Sequence, residues 1–138
     1  MATATASREL RQPPDAVREY IRSDVMGFLE ASGFDEVTRE GEDYRVAKDI
    51  GLARLELVLS VEETEGVLAL DQVDGIFDEM WTEYHVEEAE AGSLITAMTE
   101  FTLGGVLAPV LDPTMIRSQR IHEFELQFEY LETIESTV

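Results

Sequence analysis

The chain contains no cysteine and a single lysine, Lys48. Without cysteine there is no disulfide, no thiolate nucleophile and no sulfur-ligated zinc. Basic residues are scarce in general, because ten Lys and Arg stand against 30 Asp and Glu, giving a net charge of -20. No basic stripe is available to neutralise phosphates, and we therefore expect no nucleic-acid partner.

Long apolar runs are also missing. No stretch approaches the roughly 20 apolar residues of a membrane span. The N-terminus "MATATASREL" lacks the basic and apolar parts of a secretory signal. We therefore expect a cytoplasmic protein with no membrane span.

Hydrophobic residues nevertheless make up 44% of the 138 residues. This content predicts one folded domain, residues 1–138, with a charged surface rather than a disordered acidic chain. An acidic surface with almost no lysine resembles proteins from organisms that keep molar salt in the cytoplasm, where charges are screened beyond about 3 Å. We therefore expect a halophilic protein.

The periodicity of the chain predicts its elements. Residues 2–10 are predicted to form a first strand. Two short helices follow, over "QPPDAVREYI" with proline in its first turn, and over "SDVMGFLEASGF" with Ser23 or Asp24 as its cap and a stop near Gly33. The apolar period then changes to two, and strands are predicted at 35–40, 43–49, 53–62, 67–73, 76–88 and 93–103. Short turns make neighbouring strands antiparallel.

The last segment alternates in "FELQFEY" as a strand would, but its length and helical wheel favour a helix from Pro113 to about Glu135, with Asp112 as its cap. One arc of this helix is polar and the other is apolar. The polar arc comprises Ser118, His122, Glu125, Glu129 and Glu132, and the apolar arc comprises Ile116, Ile121, Phe124, Phe128, Leu131 and Ile134.

The element order and the tail "EYHVEEAEAGSLITAMTEFTLGGVLAPVLDPTMIRSQRIHEFELQFEYLETIE" resemble the SRPBCC superfamily, also called START-like or helix-grip proteins. The likeness is greatest to its small polyketide cyclase/dehydrase-like members, through the "YHV" strand, the glycine turn, the alternating strand ending "TEF" and the "GG" bend before a long helix. It implies an α+β helix-grip fold, in which a curved antiparallel sheet wraps around the C-terminal helix. It also implies an apolar cavity that binds lipids, polyketides or isoprenoid-like molecules.

Candidate cavity residues follow from the strand register. An even-membered turn at "AEAG" pairs strand 76–88 with strand 93–103, so that Tyr84 faces Ala97 and Thr82 faces Thr99. This register and the helical wheel predict an inner, largely apolar surface. Its members are Met80, Thr82, Tyr84, Val86, Ile95, Ala97, Thr99 and Phe101 on the strands, with Phe124 and Phe128 on the helix, and the aromatic ones either line a cavity or fill a core.

Four ionisable residues are further candidates. An even turn at "VDGI" would put Asp71 opposite Asp78 on the inner face, where adjacent carboxylates suit acid/base work, whereas a bulge would send them to solvent. Arg117 and Arg120 are predicted on the sheet-facing arc of the helix. There they would bind a ligand carboxylate or phosphate, or pair with local carboxylates.

The motif "EYHVEE" is the one place where a histidine stands among carboxylates. The same register puts Glu83, His85 and Glu87 on the outer face of the sheet, beside Trp81 and Leu94. A metal bound there would lack the ordered surroundings that orient imidazole ligands. We therefore predict a solvated strand face and expect neither a metal nor a cofactor.

Binding of a small hydrophobic molecule is the function that the sequence predicts. We expect the cavity mouth at the "LGGVLAP" bend, whose glycines and prolines prevent one rigid helix. One alternative is a cyclase, dehydratase or hydrolase that uses Tyr84, Asp71 or Asp78 as acid or base. Another is an interaction module, such as a homodimer formed through the outer face with Trp81 and Met98. No known nucleophile, phosphate-loop or zinc spacing identifies a reaction.

Overall fold

The computed structural model describes residues 1–50, 52–104 and 112–135. Its elements follow the predicted order of one strand, two short helices, six strands and a long helix. They are β1 (Ala2–Leu10), α1 (Pro14–Ser23), α2 (Val25–Ala31), β2 (Glu36–Glu40), β3 (Asp43–Ile50), β4 (Ala53–Glu62), β5 (Leu68–Gly75), β6 (Phe77–Ala89), β7 (Gly92–Leu103) and α3 (Pro113–Glu135). The predicted strand bounds are confirmed to within about two residues, and the predicted long helix is confirmed over Pro113–Glu135.

The described strands form one sheet in the order β1-β7-β6-β5-β4-β3-β2, with every neighbouring pair antiparallel. Burial alternates along β6 and β7, because every second side chain points to the inner face. The predicted register is confirmed, since Tyr84 pairs with Ala97 and Thr82 pairs with Thr99. A sheet with a long helix on its inner face is the α+β helix-grip arrangement that the sequence predicts.

Local signals fix the ends of the two short helices. Pro14 stands in the first turn of α1, where its missing N–H removes no helical hydrogen bond. At the start of α2 the carboxylate of Asp24 accepts a hydrogen bond from the backbone N–H of Gly27 at 3.0 Å, so the cap is Asp24 rather than Ser23. The chain leaves α2 through Gly33, whose φ of +92° favours glycine.

α3 is amphipathic in the predicted sense, with Asp112 as its cap. The Asp112 carboxylate accepts from the N–H of Met115 at 2.9 Å. Five of the six predicted apolar positions are buried, and Ile121 is half-buried. The predicted polar arc is exposed at all of its positions, which are Ser118, His122, Glu125, Glu129 and Glu132.

α3 approaches the sheet most closely at β1 and β7. The inner residues of these strands are small, with Ala4 paired to Thr99 and Ala97 on the same face, and all three are almost fully buried. Small side chains let the helix approach the backbone of β1 closely. Nε of Arg117 donates to the carbonyl of Thr3 at 3.0 Å. Arg117 thus faces the edge strand of the sheet, but it is exposed and does not line the cavity.

The predicted pairing of Asp71 with Asp78 is wrong. Asp71 lies opposite Trp81 on the outer face, and exposed Asp78 is the extra residue of a bulge that follows Phe77 in β6. The side-chain amide of Gln72 donates to the carbonyl of Phe77 at 2.8 Å and accepts from its N–H at 3.2 Å. These two bonds join the ends of β5 and β6 through a side chain, where the strand pairing itself sets Asp71 opposite Trp81.

Candidate functional site

A cavity lies between α3 and the inner face of β3 to β6, beside the region where the helix contacts the sheet. Its wall on β4 and β5 is apolar. Leu55, Leu57 and Leu59 project from β4, and they are joined by Leu70 of β5 and Met80 of β6. The cavity exists because these strands lie farther along the curved sheet than β1 and β7, on which the helix rests.

The cavity is narrow. Its volume is about 30 Å³. Ligand sites in proteins commonly measure roughly 300 to 1,000 Å³. A bound molecule larger than a few waters therefore requires its lining side chains to move, and the flexible Met80 is suited to do so.

The helix wall of the cavity is polar and is organised around an ion pair. Arg120 and Glu123 are both buried, and Nη1 of Arg120 donates to Oε1 of Glu123. Nη2 of Arg120 donates to Oγ1 of Thr82 at 3.0 Å, and Thr82 shares a hydrogen bond of 3.0 Å with Thr99. Oγ1 of Thr99 also donates to the carbonyl of Trp81 at 2.9 Å. The pair is thereby anchored to the sheet, which offsets part of its desolvation.

A second polar group stands beside the ion pair. The hydroxyl of Tyr84 donates to Oε1 of Gln127 at 2.8 Å, and Nε2 of Gln127 donates to the carbonyl of Phe28 at 3.1 Å. Burial raises the pKa of Tyr84 to about 12, although the positive charge of Arg120 acts in the opposite direction. Tyr84 is therefore a neutral hydrogen-bond donor at ordinary pH.

One donor of the helix wall is left over. Nε of Arg120 is buried and has no hydrogen-bond partner among the described residues. The guanidinium also lies over the ring of Phe124, with Cζ 4.8 Å from the ring centre, which holds its plane in place. An unpaired buried donor is costly and uncommon, so an acceptor would be favoured at this atom. The atom has almost no accessible surface, and lining side chains must therefore move before an acceptor reaches it.

Three lining residues are half-exposed, namely Phe34, Lys48 and Gln119, and together they form the rim of the cavity. Nζ of Lys48 donates to the carbonyl of Gly33 at 2.9 Å and lies 3.8 Å from Oδ1 of Asp35. The predicted mouth at "LGGVLAP" falls mostly on residues 105–111, which lie outside the described residues.

The predicted site residues separate into three groups. Met80, Thr82, Tyr84 and Arg120 line the cavity. Asp71, Asp78 and Arg117 lie outside it, as described above. The remaining five are fully buried but are not part of the cavity lining, and these are Ala97, Thr99, Phe101, Phe124 and Phe128.

The five residues outside the lining belong to the core, which for Phe101, Phe124 and Phe128 is one of the two predicted alternatives. Ala97 was predicted on the inner surface as a cavity candidate, but it lies on β7 under the part of the sheet that α3 contacts. Phe101 packs edge-on against Phe77 with ring centres 5.9 Å apart, and Phe124 packs edge-on against Tyr84 at 5.8 Å. These aromatic rings fill the core between the helix and the sheet.

Sequence reasoning missed Glu123 and Gln127, because a helical wheel assigns polar residues to solvent. A signal was present: Gln119, Glu123 and Gln127 recur every four residues on an arc that includes Ile116. The leucines of β4 and β5 were also not singled out. A strand with leucine at alternate positions fits a filled core as well as a cavity wall.

The cluster around His85 lies on the outer face, as predicted, but it is ordered rather than freely solvated. Oε2 of Glu83 is 2.6 Å from Nε2 of His85, and Oε1 accepts from Nε1 of Trp81 at 2.9 Å. Partial burial acts to raise the pKa of Glu83, but hydrogen bonds from His85, Trp81 and Thr64 together hold it below its usual value. The His85 side chain is 43% exposed.

No group of three or more His, Cys, Asp or Glu residues within the described residues is arranged to hold a metal ion. No helix in the described part of the chain is long and apolar enough to cross a membrane.

The fold and the cavity define the class: this is the helix-grip fold of START-like proteins, and the resemblance noted in the sequence is confirmed at the level of the fold. A START superfamily protein from Mycobacterium smegmatis superposes with a TM-score of 0.68 at 13% identity over 100% of both chains. The Zhui aromatase/cyclase of a Streptomyces species gives 0.63 at 17% identity over 95% of this chain and 88% of its own. A major latex-like protein from Panax ginseng gives 0.60 at 13% identity over 91% and 93%. No family model matches the sequence, and neither does a curated protein.

Proposed function

We propose that the protein binds a small, largely apolar molecule between the sheet and α3. The observation that carries this proposal is the wall of leucines on β4 and β5, which faces a cavity and not the helix. Apolar surface left beside a cavity gains free energy when a ligand covers it, at roughly 25 cal/mol for each Å². The fold neighbours include a protein named an aromatase/cyclase, so this fold accommodates organic molecules in at least one case.

The catalytic alternative has less support. Asp71 and Asp78, two of its three candidate acids or bases, lie outside the cavity. Tyr84 lines the cavity, but its pKa is about 12 and its hydroxyl already donates to Gln127. The one carboxylate in the cavity lining, Glu123, is held by Arg120. Acid/base chemistry would need a cavity residue that is free to exchange a proton, whereas binding needs only the apolar surface.

Titration with phenylnaphthylamine, a small neutral dye whose emission rises in apolar surroundings, tests the proposal. We expect saturable binding by the original protein. Leu70→Trp places a larger side chain in the cavity and should weaken dye binding at least about tenfold. Leu94→Trp is the matched control, because Leu94 lies half-buried on the outer face of β7, and it should leave binding unchanged.

Folding of both variants is checked by thermal melting, and Met80→Trp serves as a second cavity variant if Leu70→Trp does not fold. Absence of dye binding by the original protein would refute the proposal. So would equal binding by a folded Leu70→Trp variant. Either result would favour the interaction module, in which the outer face with Trp81, Leu94 and Met98 contacts a second chain.

A further inference from the structure

We infer that the preferred ligand carries an uncharged hydrogen-bond acceptor, such as the carbonyl of a ketone, ester or amide, which accepts from Nε of Arg120. The inference rests on the proposed function, because it concerns the molecule that occupies the same cavity. It specifies the polar part of that molecule, which an apolar cavity alone does not.

The first step concerns the donor. Arg120 is only 8% exposed, so its guanidinium has little access to water. Nη1 is bonded to Glu123 and Nη2 to Thr82, whereas Nε has no partner among the described residues. A buried donor on a charged group that lacks a partner gives a strong gain when an acceptor is supplied.

The second step concerns the other polar groups of the cavity, because a ligand binds where a donor is still available. Each of them already makes at least one hydrogen bond within the protein. Tyr84 donates to Gln127, Gln127 to Phe28, Gln119 to Glu123, Lys48 to Gly33, and Ser32 to Leu29. Among the described lining residues, Nε of Arg120 is the one buried nitrogen or oxygen atom with no hydrogen bond at all, and one acceptor on an otherwise apolar molecule matches it.

The third step concerns charge. The positive charge of Arg120 is balanced by Glu123, whose carboxylate is equally buried. Lys48 at the rim is likewise near Asp35. A ligand carboxylate at Nε would stand close to Glu123 in a site of low dielectric, and it would lose its hydration without meeting surplus positive charge. The chain as a whole carries -20, which further disfavours an anion.

A matched set of probes tests the inference: acetylnaphthalene, ethylnaphthalene and naphthoate share one ring system and differ in the polar group. Each displaces phenylnaphthylamine from the protein at pH 8, where naphthoate is ionised. We expect acetylnaphthalene to bind about 10 to 100 times more tightly than ethylnaphthalene, the range contributed by a hydrogen bond to a charged donor. Naphthoate should bind at least about tenfold more weakly than acetylnaphthalene.

Two variants assign the preference to the proposed atom. Arg120→Met combined with Glu123→Leu replaces the ion pair by apolar groups of similar size. It should retain ethylnaphthalene binding and reduce the preference for acetylnaphthalene to less than about threefold. Arg120→Lys keeps the charge opposite Glu123 but has no Nε, and it should lose the preference as well if the double variant does not fold.

The outcomes separate this inference from the proposed function. If no probe binds, the proposed function fails and the inference fails with it. If acetylnaphthalene and ethylnaphthalene bind equally, the cavity is a binding site but the inference is overturned. It is also overturned if naphthoate binds most tightly, or if a folded variant without Nε retains the ketone preference.

Discussion

Replacement of Tyr84 by Phe tests the hydrogen bond between Tyr84 and Gln127 without removing the Arg120–Glu123 ion pair beside it. The hydroxyl of Tyr84 donates to Oε1 of Gln127 at 2.8 Å, and both residues are almost fully buried. Tyr84→Phe removes the donor and leaves the Gln127 carbonyl buried without this partner, while the ring keeps its packing against Phe28 and Phe124. We expect a loss of about 1 to 3 kcal/mol in the free energy of unfolding at pH 8.

The same hydroxyl makes the stability of the protein depend on pH in the alkaline range. The pKa of Tyr84 is about 12 in the folded protein against 10.0 for the free side chain. Because the folded pKa is the higher one, the stabilisation is fully present below pH 10 and is lost as the pH rises towards 12. The loss amounts to about 1.4 kcal/mol at pH 11 and approaches roughly 3 kcal/mol beyond pH 12.

Urea denaturation of both proteins at pH 8 and pH 11 measures these effects. Tyr84→Phe lacks the titrating group, so the stability gap between it and the original protein should narrow by about 1.4 kcal/mol at pH 11. Tyr20→Phe is the control, because that ring is exposed, and it should change little at either pH. A gap at pH 11 equal to the gap at pH 8 would contradict the assignment of a buried, protonated Tyr84.

Three further predictions concern the rest of the molecule. The melting temperature should rise substantially between ~0.1 M and ~2 M potassium chloride, because salt screens a net charge of -20, and a flat dependence would contradict the halophilic interpretation. Asp24→Ala should cost about 1 kcal/mol in thermal or urea unfolding through loss of the α2 cap, whereas an equal loss in Ser23→Ala would mean that the cap is misassigned. His85→Ala should change the free energy of unfolding by less than about 1 kcal/mol, since its contact with Glu83 is half-exposed, and tight zinc binding that this change abolishes would contradict the outer-face assignment.

The parts of the fold that the sequence predicted are those governed by local rules. The bounds of α3 follow from Asp112, Pro113 and a sustained helical period, all of which act within a few residues. The register of β6 with β7 follows from a short turn and from alternation on both strands, and Tyr84 indeed faces Ala97. Neither prediction depends on the distance between the sheet and the helix.

The failed predictions depend on contacts that no local rule supplies. Asp71 and Asp78 are separated because β5 pairs with β6 in a register that sets Asp71 opposite Trp81, while Asp78 is the extra residue where β6 pairs with β7. Near the hairpin the side chain of Gln72 also bonds to the backbone of Phe77, a contact that the turn sequence does not reveal. Arg117 and Arg120 are adjacent on the helical wheel, yet one binds the edge of β1 and the other is buried over the cavity.

The composition of α3 reflects its position, close to β1 and β7 on one side and beside the cavity on the other. The α3 residues that line the cavity are Ile116, Gln119, Arg120, Glu123 and Gln127, and four of these five are polar. A helix packed tightly on a sheet cannot bury so many polar side chains, because each needs partners that an apolar surface does not offer. Here the partners come from the helix itself and from hydroxyls and carbonyls around the cavity. The polar stripe and the cavity therefore depend on each other. The cavity leaves room for the polar side chains, and their mutual hydrogen bonds leave Nε of Arg120 as the one buried nitrogen or oxygen atom of the described lining residues without a partner.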